Sequence, residues 1–251
     1  REHAMAAIVN GISLVGFRSY ASTFLAFSDY MRPAMRLAAI LNLPVTYIFT
    51  HDSISIGSDG VTHQPVEQLT SLRAMPNLEV FRPCDANEVI GTYKTIMKKK
   101  IGPSVISLSK TRLPILETTS SSGVEKGAYI VKDEQRKLDG IIISSGEEVH
   151  QAIEVSKRLN TKGIDVRVVS MPSMDVFEKQ SDEYKESVLP KSVRKRVAVE
   201  ALSDFGWYRY VGLDGRVICM KGFGASGPAN QLFEHFGFTV ENVVNTVKSL
   251  F

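Results

Sequence analysis

Pro44-Val45-Thr46-Tyr47-Ile48-Phe49-Thr50 runs directly into His51-Asp52-Ser53-Ile54-Ser55-Ile56-Gly57-Ser58-Asp59-Gly60-Val61-Thr62-His63-Gln64-Pro65. The first run is rich in β-branched and aromatic residues and reads as a strand. The second has no hydrophobic period, and it gathers two histidines, two acids and two glycines. Polar, titratable loops directly after an apolar strand are where ligands are met. In open parallel sheets the ligand crevice lies beyond the carboxyl ends of strands, and this loop starts at such an end.

Strand and helix signals alternate outward from that point. Ala4, Ile8 and Ile12 repeat every four residues and predict a helix ending near Gly16. Helices are also expected over 23–42, 64–75 and 86–98, with strands over 78–81 and 104–109. The polar run Thr118-Thr119-Ser120-Ser121-Ser122-Gly123 reads as a linker. Beyond it the pattern restarts, with strands over 128–131, 140–144, 166–170, 196–200 and 217–220. Val149, Ala152, Ile153, Ser156 and Leu159 mark one helix face, with Ser145 as its expected N-cap. Two helices near 228–236 and 240–250 close the chain. The alternation predicts an α/β fold of two three-layer domains with mostly parallel sheets, covering 1–117 and 126–251 around a linker at 118–125.

The chain has 251 residues, 43% apolar and 23% charged, as in ordinary globular proteins. A net charge of +3 gives no reason to invoke nucleic acid. The basic runs at 98–100 and 191–196 read as solvated surface. Two cysteines are too few for a disulfide framework and suit a reducing, cytoplasmic setting. No apolar run approaches the ~20 residues that span a bilayer. The opening Arg1-Glu2-His3-Ala4-Met5 has no initiator Met and no disordered lead-in, so the chain is expected to start inside a longer one.

Several groups could carry chemistry. Glu2 reads either as a first-turn acid favoured by the helix dipole or as a partly buried carboxyl that holds a proton. Phe24, Phe27 and Tyr30 recur every three residues, as core or as an aromatic slot for a flat heterocycle. His51, Asp59 and His63 lack compact metal-ligand spacing. They better suit a hydroxyl-rich substrate that needs both donors and acceptors. Gly222-Phe223-Gly224-Ala225-Ser226-Gly227 matches a dinucleotide fingerprint, but too little chain follows to complete the βαβ unit. A tight strand-to-helix turn, with Pro228 at the first helical position, is the simpler reading.

Together these segments resemble the transketolase family. The resemblance rests on Arg1-Glu2-His3-Ala4-Met5-Ala6-Ala7-Ile8, Thr23-Phe24-Leu25 with Phe27 and Ser28-Asp29-Tyr30, and Thr50-His51-Asp52-Ser53-Ile54. It continues through Asp59-Gly60, Thr62-His63-Gln64-Pro65, Arg82-Pro83 and Asp85-Ala86-Asn87-Glu88 to Phe223-Gly224-Ala225-Ser226-Gly227 and Phe236-Gly237-Phe238-Thr239. It implies an incomplete thiamine-diphosphate-binding fold, the pyrimidine-binding domain, followed by a transketolase C-terminal-like domain. It also implies a cytoplasmic homodimeric transferase of the pentose phosphate pathway, moving a two-carbon ketol unit from a ketose phosphate to an aldose phosphate.

By position, Glu2 falls where the family meets the aminopyrimidine ring, and Phe24, Phe27 and Tyr30 where aromatic rings surround it. His51, Asp59, His63 and Lys110 fall at the sugar-phosphate substrate, with Glu2 and His63 as the catalytic pair. The diphosphate-binding domain lies outside these residues, and with it the ligands for Mg2+ or Ca2+, so no metal ligand is assigned here. Two positions depart from the family. Ser58 replaces the usual acid before Asp59-Gly60, and Lys110 stands where the family commonly has Arg, with Arg112 nearby to compensate. Other readings are a related thiamine enzyme, such as dihydroxyacetone synthase or a phosphoketolase-like relative, and a non-catalytic paralogue that binds partners.

Overall fold

Successive side chains of a strand point to opposite faces, and both sheets of this protein bury two helix layers that way. The computed structural model describes residues 1–251. Helix α1 (Glu2–Leu14) leads into β1 (Ser19–Phe24) and α2 (Ser28–Ile40). Next come β2 (Val45–Thr50), α3 (Gln68–Arg73), β3 (Glu79–Phe81), α4 (Ala86–Lys98) and β4 (Ser104–Ser107). These four strands form one parallel sheet of order β1-β2-β4-β3. Val45, Tyr47, Val80 and Val105 face α1, α2 and α3, whereas Phe81 and Ile106 face α4.

A short helix α5 (Ser121–Val124) precedes the second sheet. That sheet is assembled from β5 (Tyr129–Lys132), β6 (Gly140–Ser144), β7 (Val166–Ser170), β8 (Arg196–Ser203) and β9 (Arg216–Met220). Its order is β5-β7-β6-β8-β9, parallel except for the antiparallel edge strand β5. Helices α6 (Glu148–Thr161), α10 (Ala229–His235) and α11 (Val240–Lys248) cover the face bearing Ile142, Val168, Val197 and Val199. Helices α7 (Met174–Glu178), α8 (Asp182–Val188) and α9 (Tyr208–Val211) cover the face bearing Ile141, Ile143, Val169 and Ala198. The architecture is thus the expected α/β pair of layered, mostly parallel sheets.

Some expectations are corrected. Residues 23–42 are not one helix, because Thr23 and Phe24 end an edge strand and α2 starts at Ser28. That strand exposes Tyr20, which hides its β character from the apolar pattern. The helix expected from 64 begins only at Gln68, because Gln64 and Val66 are tied to the second sheet's loops. Helix α1 forms, but Ile8 and Ile12 lie outward, and Ala6, Val9, Asn10 and Ser13 are buried instead. Ser145 does not cap α6. Its N-cap residue is Glu147, and the Ser145 hydroxyl donates to Glu200. Pro228 sits at the N-cap of α10, not inside its first turn. The polar run at 118–123 is tethered, with Thr119 Oγ1 donating to Asp85 and Val124 fully buried.

Candidate active site

The parallel register sets Phe24 of β1 opposite Thr50 of β2, so both strands deliver their next residues to one edge. After Phe24 a 3-10 turn and the start of α2 carry Phe27 and Tyr30 round that edge. After Thr50 the chain turns at once, with His51 at φ 62°, a left-handed conformation that costs most residues ~1 kcal/mol. This turn lays the imidazole on Phe24, with centroids 3.8 Å apart and planes at 20°. Phe27 lies parallel to Phe24 at 5.6 Å and meets His63 edge-on at 5.3 Å, and Tyr30 follows at 6.1 Å from Phe27. Phe24 and Phe27 are half-buried and Tyr30 is exposed, so, although His51 covers one face of Phe24, part of their ring surface remains open to a flat ring.

Both histidines are held alike. His51 Nδ1 pairs with Thr50 Oγ1 at 2.8 Å, and His63 Nδ1 with Thr62 Oγ1 at 2.9 Å. Each Nε2 is left for a ligand. Burial and the Lys110 cation lower the His51 pKa, while Asp59 acts in the opposite direction, so His51 is neutral at pH 7. Lys110 Nζ donates to Ile56 O at 3.0 Å and is bound to the loop that carries Asp59. Asp59 itself is exposed. Glu2 joins no hydrogen bond or ion pair within the chain. It stands in the first turn of α1, which runs back along β1, so Glu2 and Phe24 share the carboxyl edge of the sheet. Arg112 is exposed and makes no ion pair to the loop.

Beneath this edge the loop is bolted to the second sheet's domain. Asp52 is fully buried and accepts from Arg82 Nε at 2.8 Å. Ser53 Oγ donates to Glu147 at 2.7 Å, and Ser203 N–H donates to Val66 O at 2.9 Å. Arg82 also pairs with Glu148, and Arg73 grips Glu200 with both terminal nitrogens at 2.8 and 2.9 Å. Four carboxylates thus surround two guanidinium groups, too many to stay ionised together. Burial pushes Glu148 up to about 8 and raises Glu147 as well. Burial opposes the ionisation of Glu200 too, but Arg73 and Arg82 hold it down to about 2.

Comparison with known proteins follows the two sheets. The family model described as "Transketolase, pyrimidine binding domain" matches residues 1–115, and "Transketolase-like TK C-terminal domain" matches residues 127–239. A transketolase of Bacillus subtilis is 53% identical over the whole chain. The chain belongs to the transketolase family. A solved transketolase from Leishmania mexicana superposes with TM-score 0.95 at 45% identity, covering 100% of this chain and 37% of its own. A Pichia stipitis transketolase in complex with sedoheptulose-7-phosphate superposes with TM-score 0.94 at 43% identity, over 100% of this chain and 37% of its own. The chain spans 38% of the length of the Bacillus subtilis relative.

Within this transketolase-family chain, Phe24, Phe27, Tyr30, His51 and His63 form one cluster, with Lys110 tied into the same loop. Glu2 meets the cluster only through its place on the shared edge. No three His, Cys, Asp or Glu side chains converge as a metal cluster, and no helix is long and apolar enough to cross a membrane. Sequence reasoning missed the anchors Ser53, Gln64, Glu147 and Arg82. Ser53 and Gln64 lie within the site loop itself, but the local sequence holds no signal of their partners, which lie 94 and 161 residues away.

Proposed function

We propose that this chain is the pyrimidine-binding and C-terminal part of a transketolase, with units 1–117 and 126–251 meeting at 118–125. The assembled enzyme moves a two-carbon ketol unit from a ketose phosphate to an aldose phosphate. Thiamine diphosphate, when bound, would supply the carbon nucleophile. The residues present fit its aminopyrimidine: Phe24, Phe27 and Tyr30 offer partly open ring faces, and Glu2 brings a carboxyl to the same edge. Glu2 holds a proton at the pyrimidine nitrogen. His51 stays neutral and presents Nε2 to the sugar phosphate. His63 exchanges a proton with the reacting hydroxyl, Asp59 accepts from another hydroxyl, and Lys110 attracts the phosphate.

The observation that carries this reading is the aromatic and histidine cluster, with both Nδ1 atoms tied back and both Nε2 atoms free. Remaining parts of the enzyme would bring the diphosphate-binding domain and its Mg2+ or Ca2+. A homodimer would cover the outward Ile8, Ile12, Phe17 and Tyr20. The two buried free cysteines accord with a cytoplasmic setting. The test is a mixture of ketose phosphate, aldose phosphate, thiamine diphosphate and Mg2+ with the assembled enzyme. New sugar phosphates two carbons longer and shorter support the proposal, and their absence overturns it. Efficient use of formaldehyde as acceptor, or release of acetyl phosphate, would redirect it to a related thiamine enzyme.

A further inference from the structure

The glycine-rich run 222–227 has no place in the proposed chemistry, yet it reaches the loop that holds Asp59 and His63. Gln64 Nε2 donates to Gly57 O at 2.9 Å and to Ala225 O at 2.8 Å. Because both partners are carbonyl oxygens, only the amide nitrogen can face them, which fixes the side chain's orientation. Gln64 is buried, and its Oε1 takes no hydrogen bond and rests against Gly224, where a methyl group would overlap it. Ser226 Oγ donates to Ser58 O at 2.6 Å. Gly57 and Gly60 have φ of 82° and 78°, and methyls there would lie 3.2 Å from Gly227 O and 3.3 Å from Ser226 Cβ. One loop therefore nests in the other on both sides of Asp59.

We propose that Gln64, clamped by the Gly224–Ser226 loop of the second domain, is a positioning residue that sets Asp59 and His63 for a hydroxyl-rich substrate. This rests on the site assignment proposed above and gives the second domain a direct part in substrate recognition. The physical case is local. His63 N–H and Gln64 N–H both donate to Gly60 O, at 3.1 Å each, and Gly60 N–H donates to Gly57 O at 3.2 Å. The turn between Asp59 and His63 thus hangs on Gly57, and Gly57 hangs on Gln64. Without the amide, two carbonyl oxygens lose a shared donor, and Ser226 alone ties the turn to the second domain.

The test is a double-mutant cycle of Gln64→Ala and Gly224→Ala in the assembled enzyme, with Gly222→Ala as control, since nothing lies within 4 Å of a methyl there. Amide hydrogen exchange over 57–64 and the donor KM are read together. Each single variant should speed exchange of the Gly60, His63 and Gln64 amides and raise the donor KM, both by about tenfold, with thiamine diphosphate affinity unchanged. The double variant should be no worse than Gln64→Ala, because both changes act through one side chain. Unchanged exchange in Gln64→Ala, or additive effects in the double variant, would overturn the proposal. A KM unchanged despite faster exchange would overturn it too. If Gly224→Ala does not fold, Gln64→Met, similar in length and without donors, decides alone. Absence of ketol transfer by the unmutated enzyme would instead defeat the functional assignment, and exchange would still decide whether the clamp exists.

Discussion

The His51 imidazole lies flat on the Phe24 ring, centroid to centroid 3.8 Å apart, although Phe24 ends β1 and His51 follows the end of β2. The pairing follows from parallel register and one sharp turn: Phe24 faces Thr50, and His51 folds back at φ 62°. Contact with an apolar ring strips water from the imidazole, and burial is the largest cause of its lowered pKa. Phe24→Ala should therefore raise the His51 pKa toward 6.5, seen as a later midpoint in an NMR pH titration. The sign for stability follows. A depressed histidine contributes stability above its unfolded pKa, lost as pH falls through the folded value. Phe24→Ala should reduce that acid-side loss, and an unmoved midpoint would remove Phe24 as the cause.

Lys110 acts on the same imidazole through its charge, as the second influence after burial. Lys110→Ala should raise the His51 pKa and raise the KM for phosphorylated donors by about tenfold, with a smaller effect on unphosphorylated ones. Lys110→Arg should retain the phosphate preference, since the guanidinium adds a fork to the same charge. Steady-state kinetics with matched sugars decides this, and equal losses for both donor types would take Lys110 out of the phosphate site.

Glu2→Gln keeps the shape of the side chain and removes its ability to hold a proton. Turnover of the assembled enzyme should fall about 100-fold or more, while substrate KM changes little. Near-normal turnover in a ketol-transfer assay would reassign Glu2 to helix-dipole stabilisation alone.

Burial raises Glu148 from 4.5 to about 8, so the folded protein holds a proton that the unfolded chain releases. Its contribution is complete below pH 4.5 and is lost as pH rises through about 8. Unfolding free energy should fall across that window by up to about 1.4 kcal/mol per pH unit from this group. Glu147, raised in the same direction, adds to the slope. Urea unfolding across the window from pH 4.5 to about 8 should show the slope reduced in Glu148→Gln. An identical slope would mean that Arg82 keeps Glu148 ionised.

Gly91 lies inside α4, where alanine would normally gain up to about 1 kcal/mol of helix propensity. Here a methyl would sit 2.5 Å from Ser121 O and 2.8 Å from Val124 Cγ2. Overpacking of that kind costs about 1–3 kcal/mol, so crowding exceeds propensity. Gly91→Ala should lower stability by about 1–2 kcal/mol in chemical denaturation. A stabilised variant would show that α5 moves aside freely.

Elements whose local pattern and burial agree were legible in the sequence. Helix α4 spans 86–98 as expected, with Asp85 capping it by accepting from Glu88 N–H, although Ile90 and Met97 face outward. The fully buried β6 and β7 likewise coincide with their β-branched runs. Strand β1 was not legible, since half its side chains face outward and Ser19, Ser22 and Thr23 dilute the apolar signal. The short helices α7, α8 and α9 exist through packing on the sheet, not through their own periodicity. At the site, the residue types of the loop announced a ligand, and spacing placed the aromatic rings near one another. Arg82–Glu148 and Gln64–Ala225 were hidden, because a local pattern holds no record of partners 66 and 161 residues away.

Trp207 is the sole tryptophan, fully buried, and its indole N–H donates to Glu200 at 2.8 Å. The guanidinium of Arg73, from the other sheet's domain, stands 5.7 Å from its ring. Beside its eight tyrosines the chain thus carries a single indole fluorophore, which can be excited selectively and is placed where the two domains share their charges. Its emission colour and quenching therefore report the docking of the domains, with no dye or label attached.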